Sequence, residues 1–196
     1  SYSGMNGAQV AQRVLEAAGI YDVTVRHVSG NLTDHYDPST KTVNLSDPVY
    51  NSYSVAALGV AAHECGHAIQ HAKNYAPLSL RSALVPVANF GSMLAWPLIL
   101  IGLFINGRSS TLIIDLGIVL FSAAVLFQLV TLPVEFDASR RALVMLRTQN
   151  IRSEDELKNT RKVLKSAAFT YVASAAAAIL QLLRIILLVG GRRDDR

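Results

Sequence analysis

One stretch of this chain limits its fold more than any other. Between Ser82 and Val134 the only charged side chains are Arg108 and Asp115. A soluble domain carries about 25% charged residues, so this segment lacks the ionic groups that a watered surface needs. Within it, Leu84 to Ile105 and Thr111 to Val134 are each long enough to cross a bilayer core of about 30 Å. The polar run Asn106-Gly107-Arg108-Ser109-Ser110 predicts a turn between them, giving a helical hairpin. Ala167 to Val189 reads as a third span, with Arg184 placed to snorkel from its far end. Only 16% of the whole chain is charged, and the deficit is confined to these segments.

The flanking sequence reads as ordinary water-exposed protein. Gly4 to Ala18 has an amphipathic pattern, with Val10, Val14, Leu15 and Ala18 on one helical face and Gly19 as a stop. Tyr21 to Val28 is β-branched and weakly alternating, which predicts a strand. Leu32–Tyr36 and Lys41–Leu45 flank Asp37-Pro38-Ser39-Thr40, the composition of a hairpin turn. Ser54 is placed to cap a helix from Val55 to Ala72. Small apolar residues almost all round that segment imply a helix buried inside the protein. Glu135 to Lys165 is polar, basic and helical in pattern, with a break near Asn150. The expected architecture is mainly α and membrane-embedded. It combines a zincin-like helix, a small β-hairpin or sheet and about three transmembrane helices. The expected segments are 1–75, 76–134, 135–166 and 167–196.

The buried helix carries His63-Glu64-Cys65-Gly66-His67. Positions four apart on an α-helix are about 40° apart around the axis, so the two imidazoles share a face and can bind one Zn²⁺. Glu64 lies about 100° from His63, within reach of a water held by that ion. Zinc lowers the pKa of such a water towards about 7, and an adjacent carboxylate can take the proton. This is the H-E-x-x-H arrangement of a metallopeptidase. An ionised glutamate unpaired in so apolar a helix would be costly, and a metal with its water would offset that cost.

A third ligand must come from elsewhere. Gln70 and Lys73 stand where a metzincin would continue with Gly and His. His71 is one turn beyond His67, but three ligands along one straight helix suit tetrahedral zinc poorly, so a supporting or surface role is expected. Glu135 is the better candidate, because two crossings after His67 return the chain to the same membrane face. A site-2-protease pattern fits poorly, since Asp115 has no proline before it. The single cysteine, Cys65, allows no intrachain disulfide and reads as a small packing residue. Gly66 is expected to allow close helix packing beside the metal.

Four segments together resemble a known family. They are Ser3-Gly4-Met5-Asn6-Gly7-Ala8-Gln9-Val10, Leu32-Thr33-Asp34-His35-Tyr36-Asp37-Pro38, Ala61-Ala62-His63-Glu64-Cys65-Gly66-His67-Ala68-Ile69-Gln70 and Pro133-Val134-Glu135-Phe136-Asp137-Ala138-Ser139-Arg140-Arg141-Ala142. The chain is similar in these to the YugP-type neutral zinc metallopeptidases of bacterial membranes. The resemblance implies a gluzincin-like zinc peptidase, distantly similar to the membrane heat-shock and CAAX-processing proteases. It implies His63, His67 and Glu135 as ligands and Glu64 as base. Relatives open an E-x-x-x-D motif at the third ligand, whereas Ser139 stands four residues after Glu135 here. Asp137 is then a substitute for the carboxylate that orients a ligand histidine. The family also implies an apolar span ahead of the Ser3 region, so one further crossing is expected in the native protein.

Remaining expectations concern substrate and setting. A sheet edge in the Leu32–Leu45 hairpin is the candidate for holding an extended substrate, with His35 or Tyr36 as donors to a developing oxyanion. Arg140 and Arg141 read first as headgroup anchors. The partners expected are a membrane or membrane-adjacent polypeptide and the lipid bilayer. Basic residues flank apolar segments rather than forming an aromatic-interleaved stripe, which argues against nucleic acid. Arg140, Arg141, Arg147, Arg152, Lys158, Arg161, Lys162 and Lys165 face Arg108 across the hairpin, which predicts a multi-pass cell-membrane protein with a cytoplasmic active site. Arg192, Arg193 and Arg196 argue the other way. The competing function is a non-catalytic membrane protein with a structural zinc.

Overall fold

The computed structural model describes residues 4–105, 108–150 and 153–194. The expected turn at Asn106 and Gly107, and the charges of Arg152 and Arg196, lie outside them. The chain folds mainly as helices, with one small sheet and three long apolar helices.

Helix α1 (Gly7–Ala17) opens with a capping box in which the Asn6 side chain accepts from the Gln9 backbone and the Gln9 side chain accepts from Asn6 N–H. It ends before Gly19, whose φ of +72° lets the chain reverse. Strands β1 (Thr24–His27), β2 (His35–Asp37) and β3 (Thr42–Leu45) form a sheet of order β1-β3-β2. The expected hairpin is present: β2 and β3 are antiparallel, with Tyr36 opposite Val43. Asp37 closes the turn by accepting from Ser39 N–H, Ser39 Oγ and Thr40 Oγ1. Strand β1 lies parallel to β3, a pairing that no local pattern predicts. A short helix α2 (Asp47–Tyr50), with Pro48 in its first turn, was not expected.

Helix α3 (Val55–Ala72) has the expected limits, and the Ser54 hydroxyl accepts from Ala57 N–H. It packs on α1, α2 and the sheet around a core that includes Val10, Val14, Leu15, Leu45, Leu58 and Leu146. Helices α4 (Ala76–Phe104), α5 (Arg108–Thr148) and α6 (Glu154–Asp194) contain the three candidate spans. Each is longer than the apolar run that marks it, because polar residues beyond the run continue the helix without a breaking signal. Asn150, at φ +49°, lies in the break between α5 and α6, where a break was expected.

The chain divides into two compact units. The first joins Ser1–Leu78 to Pro133–Phe169, and the second joins Ser79–Leu132 to Thr170–Arg196. Helix α5 enters the first unit at Pro133, two residues before Glu135.

Candidate metal centre

Everything described at this site belongs to the first unit. Helix α3 presents His63 and His67 on one face, their rings 4.8 Å apart between centroids and nearly perpendicular. The partner element is α5, which approaches through Gly66. A Cβ on Gly66 would collide with the backbone oxygen of Ala138, so glycine is what lets the two helix backbones meet. Glu135 and Ser139 flank Ala138 on α5 and are delivered to the two histidines by that contact.

Glu135 Oε2 lies 3.2 Å from His63 Nε2, and Glu135 Oε1 lies 3.7 Å from His67 Nε2. One ligand atom from each residue falls within 4.8 Å of the others. Ligands about 2.0–2.1 Å from a tetrahedral zinc are separated by about 3.3 Å, so the donor set fits the ion and the side chains would draw together by about an ångström to hold it. His67 and Glu135 are buried and His63 is half-buried.

The electrostatics point the same way. Burial alone would push the His67 pKa down; its hydrogen bond to Glu135 and the charges of Glu64 and Glu135 outweigh that and hold it above the usual histidine value. The surroundings therefore favour positive charge at this point, whether from a proton or a metal. Glu64 is buried, and among the described residues its carboxylate has no hydrogen-bond or ion-pair partner. An ionised carboxylate in that state calls for a cation or an ordered water beside it.

Both histidines are oriented from behind. His63 Nδ1 is 3.1 Å from Ser139 Oγ. His67 Nδ1 is 3.0 Å from Gln70 Oε1, where it donates when Nε2 is kept as the ligand atom. Gln70 is fully buried and is itself fixed, its Nε2 donating to the Val134 carbonyl at 2.8 Å and to Asp137 Oδ2 at 3.0 Å. Asp137 also accepts from Arg140 and Arg141. Asp137 thus reaches His67 through Gln70, while Ser139 touches His63 directly. The sequence reading missed Gln70 as a support. A buried amide one turn after His67 was the available signal, but its meaning depends on α5 lying against it.

The remaining candidates are engaged elsewhere. His35 Nδ1 donates to the Thr33 carbonyl at 2.7 Å, and its Nε2 accepts from Asn44 at 3.1 Å. The Tyr36 hydroxyl pairs with His71 Nδ1 at 2.8 Å. Burial and two nearby aspartates push the Tyr36 pKa up to about 12. His35, Tyr36 and His71 make no hydrogen bond to the His63–His67–Glu135 group. Cys65 is fully buried, its thiol donates to the Ala11 carbonyl at 3.5 Å, and burial pushes its pKa well up, so it serves packing.

Residues 1–190 match the family described as "Putative neutral zinc metallopeptidase". The chain belongs to that family. It is also similar to the "Putative membrane protease YugP" of Bacillus subtilis (strain 168), with 48% identity over 193 residues, covering 98% of this chain and 84% of the relative. No solved structure matches it. Helices α4, α5 and α6 are long and apolar enough to cross a membrane, which agrees with the relative's description.

Proposed function

We propose that this chain is a membrane-embedded zinc endopeptidase in which His63, His67 and Glu135 hold the metal and Glu64 is the general base. The observation that carries the reading is the pairing of a three-donor cluster with a buried, partnerless carboxylate one residue along the same helix. Zinc in that cluster would supply Lewis acidity, polarising a peptide carbonyl and acidifying the attacking water. Three protein donors leave a position open for that chemistry, whereas a structural site is closed by four.

The chain's own groups account for the rest. Glu64 takes the proton of the attacking water and returns it to the leaving amine, a contribution of about 10²–10⁴-fold. Ser139 and Gln70 hold the two imidazoles with Nε2 turned towards Glu135, which fixes their tautomer and orientation for a metal. Strand β2 lies at an edge of the sheet, where an extended substrate can add as a further strand. The substrate class that fits is a membrane or membrane-adjacent polypeptide. The basic excess around the site supports a cytoplasmic orientation for it. Cysteine labelling at positions 108 and 152 in intact cells tests that orientation, and labelling of 152 alone from outside would reverse it.

The decisive experiment is zinc analysis and peptide cleavage for the wild type and Glu64→Gln. Retained zinc with cleavage lowered at least about 100-fold supports the assignment. Equal cleavage by both proteins ends it. A zinc-loaded wild type that cleaves no peptide would mark the non-catalytic alternative.

A further inference from the structure

Behind the metal centre the first unit carries a groove of about 410 Å³ that the proposed peptidase chemistry does not use. Small-molecule sites span about 300–1,000 Å³, so it can seat more than water. The end of α5 and the start of α6 form its walls. Its apolar lining includes Leu164, which is buried, and Phe136 and Val144, which are 46% and 52% exposed. Every charged residue that lines it is a cation: Arg140, Arg147, Arg161 and Lys165. Asp137 engages Arg140 and Glu154 pairs with Arg147 at 3.1 Å. Among the described residues, Arg161 and Lys165 have no ion-pair partner; Lys165 lies 5.7 Å from the Phe169 ring centroid.

Two uncompensated cations over an exposed apolar lining are complementary to an anionic amphiphile. Free phosphate would satisfy the cations but leave Phe136 and Val144 wet. Both walls are helices that also carry candidate membrane spans, so a bilayer lipid is the anionic amphiphile such helices would meet. Basic pockets between membrane helices suit anionic lipid headgroups. A peptide substrate fits less well. Ser139 lines the groove and contacts His63 at Nδ1, the ring nitrogen opposite the one that faces Glu135. The groove therefore approaches His63 on the side turned away from the ligand atoms.

We propose that this groove binds the headgroup of an anionic phospholipid, held by Arg161 and Lys165 and seated against Ser139 at the back of the metal site. Because Ser139 orients His63, an occupant there is coupled to the metal centre. The proposal concerns binding and does not require that the protein be a peptidase.

The test uses the full chain in detergent, titrated with phosphatidylglycerol or phosphatidylcholine and read by native mass spectrometry, with zinc content followed in parallel. The wild type should bind phosphatidylglycerol in preference. Arg161→Gln with Lys165→Gln should lower that affinity roughly 25-fold, at about fivefold per cation near a headgroup. Lys158→Gln with Lys162→Gln, on the same helix but outside the groove, should lower it less than about twofold. Arg161→Lys with Lys165→Arg should retain it. Equal affinity for the two lipids, or equal losses in the two glutamine double variants, would overturn the proposal. So would displacement of bound lipid by a soluble acidic peptide, which would make the groove a peptide site. Unchanged zinc content in the variants shows that a loss of lipid is not a loss of fold.

Discussion

The two units solve the same packing problem with different consequences. Each brings helix backbones together at glycine. In the first unit Gly66 faces the Ala138 carbonyl. In the second, a Cβ on Gly91 would lie 2.6 Å from the Leu120 carbonyl, and one on Gly117 would lie 3.0 Å from that of Ala95. Around Gly66 the neighbours are polar and buried: Glu64, His67, Gln70, Glu135 and Asp137. Across from Gly91 and Gly117 stand Leu120, Ala95 and Ile99, and the second unit's small core is Ile99, Ile114, Ile185 and Val189. Its outer faces expose Leu112, Val119, Leu180 and Leu187, each at least 65%, a surface that suits lipid and not water. Close approach between apolar faces yields van der Waals packing; close approach beside two histidines brings together a candidate ligand set. The difference lies in the residues next to the glycine.

That contrast predicts where metal binding is sensitive. Glu135→Ala removes a donor and should weaken zinc more than the loss of an orienting group does, that is by more than about 100-fold. Zinc stoichiometry after dialysis measures it, and an unchanged value would exclude Glu135 as a ligand. Gln70→Ala comes next. It leaves His67 Nδ1, the Val134 carbonyl and one Asp137 oxygen without the amide that joins them. Zinc affinity should fall about 10–100-fold, and thermal stability should fall with it, since each buried orphan costs about 1–3 kcal/mol. Competition with a zinc chelator reads the first effect and a melting curve the second. Ser139→Ala should be milder, about tenfold in zinc affinity, because His63 is only half-buried and water can replace the hydroxyl. Ser139→Asp should bind zinc more tightly than the wild type, because a charge-assisted bond to the imidazole is about twice as strong as a neutral one. Weaker binding in both variants would show that the serine's size, not its hydrogen bond, matters.

These sites differ in how far the sequence exposed them. Helix α3 was legible to its ends, because Ser54 is a strong local cap and the histidine spacing fixes the face. The spans were legible in kind but not in length, since hydropathy marks where a helix is apolar and not where it stops. The antiparallel hairpin followed from turn chemistry at Asp37–Thr40, whereas the parallel β1–β3 pair joins residues too distant for any periodicity to link. His63, His67 and Glu135 were nameable because ligand chemistry restricts residue type. Their supports were harder. Asp137 was expected to orient a ligand histidine and does so only through Gln70, which the motif comparison registered merely as a departure from another pattern. A supporting residue is defined by what packs against it, and that information is spread over two helices 64 residues apart from Gln70 to Val134.

A substitution at the glycine contact of the second unit should leave the metal alone. Gly91→Ala places a methyl group against the Leu120 carbonyl, a backbone atom that cannot turn aside as a side chain can. The helices must separate, and overpacking of this kind costs about 1–3 kcal/mol, against roughly 1 kcal/mol gained from alanine's higher helix propensity. The net expectation is a modest loss of thermal stability in detergent with zinc affinity within about twofold of wild type, the scatter expected of distant independent sites. Helix α5 carries both Leu120 and Glu135, so a rigid rod would transmit the displacement to the ligand. Pro133 lies between them and removes a backbone donor from the helical ladder, which gives α5 a place to absorb the shift. A fall in zinc affinity as large as that of Gln70→Ala would show instead that α5 acts as one rigid element and that the two units are not mechanically separate.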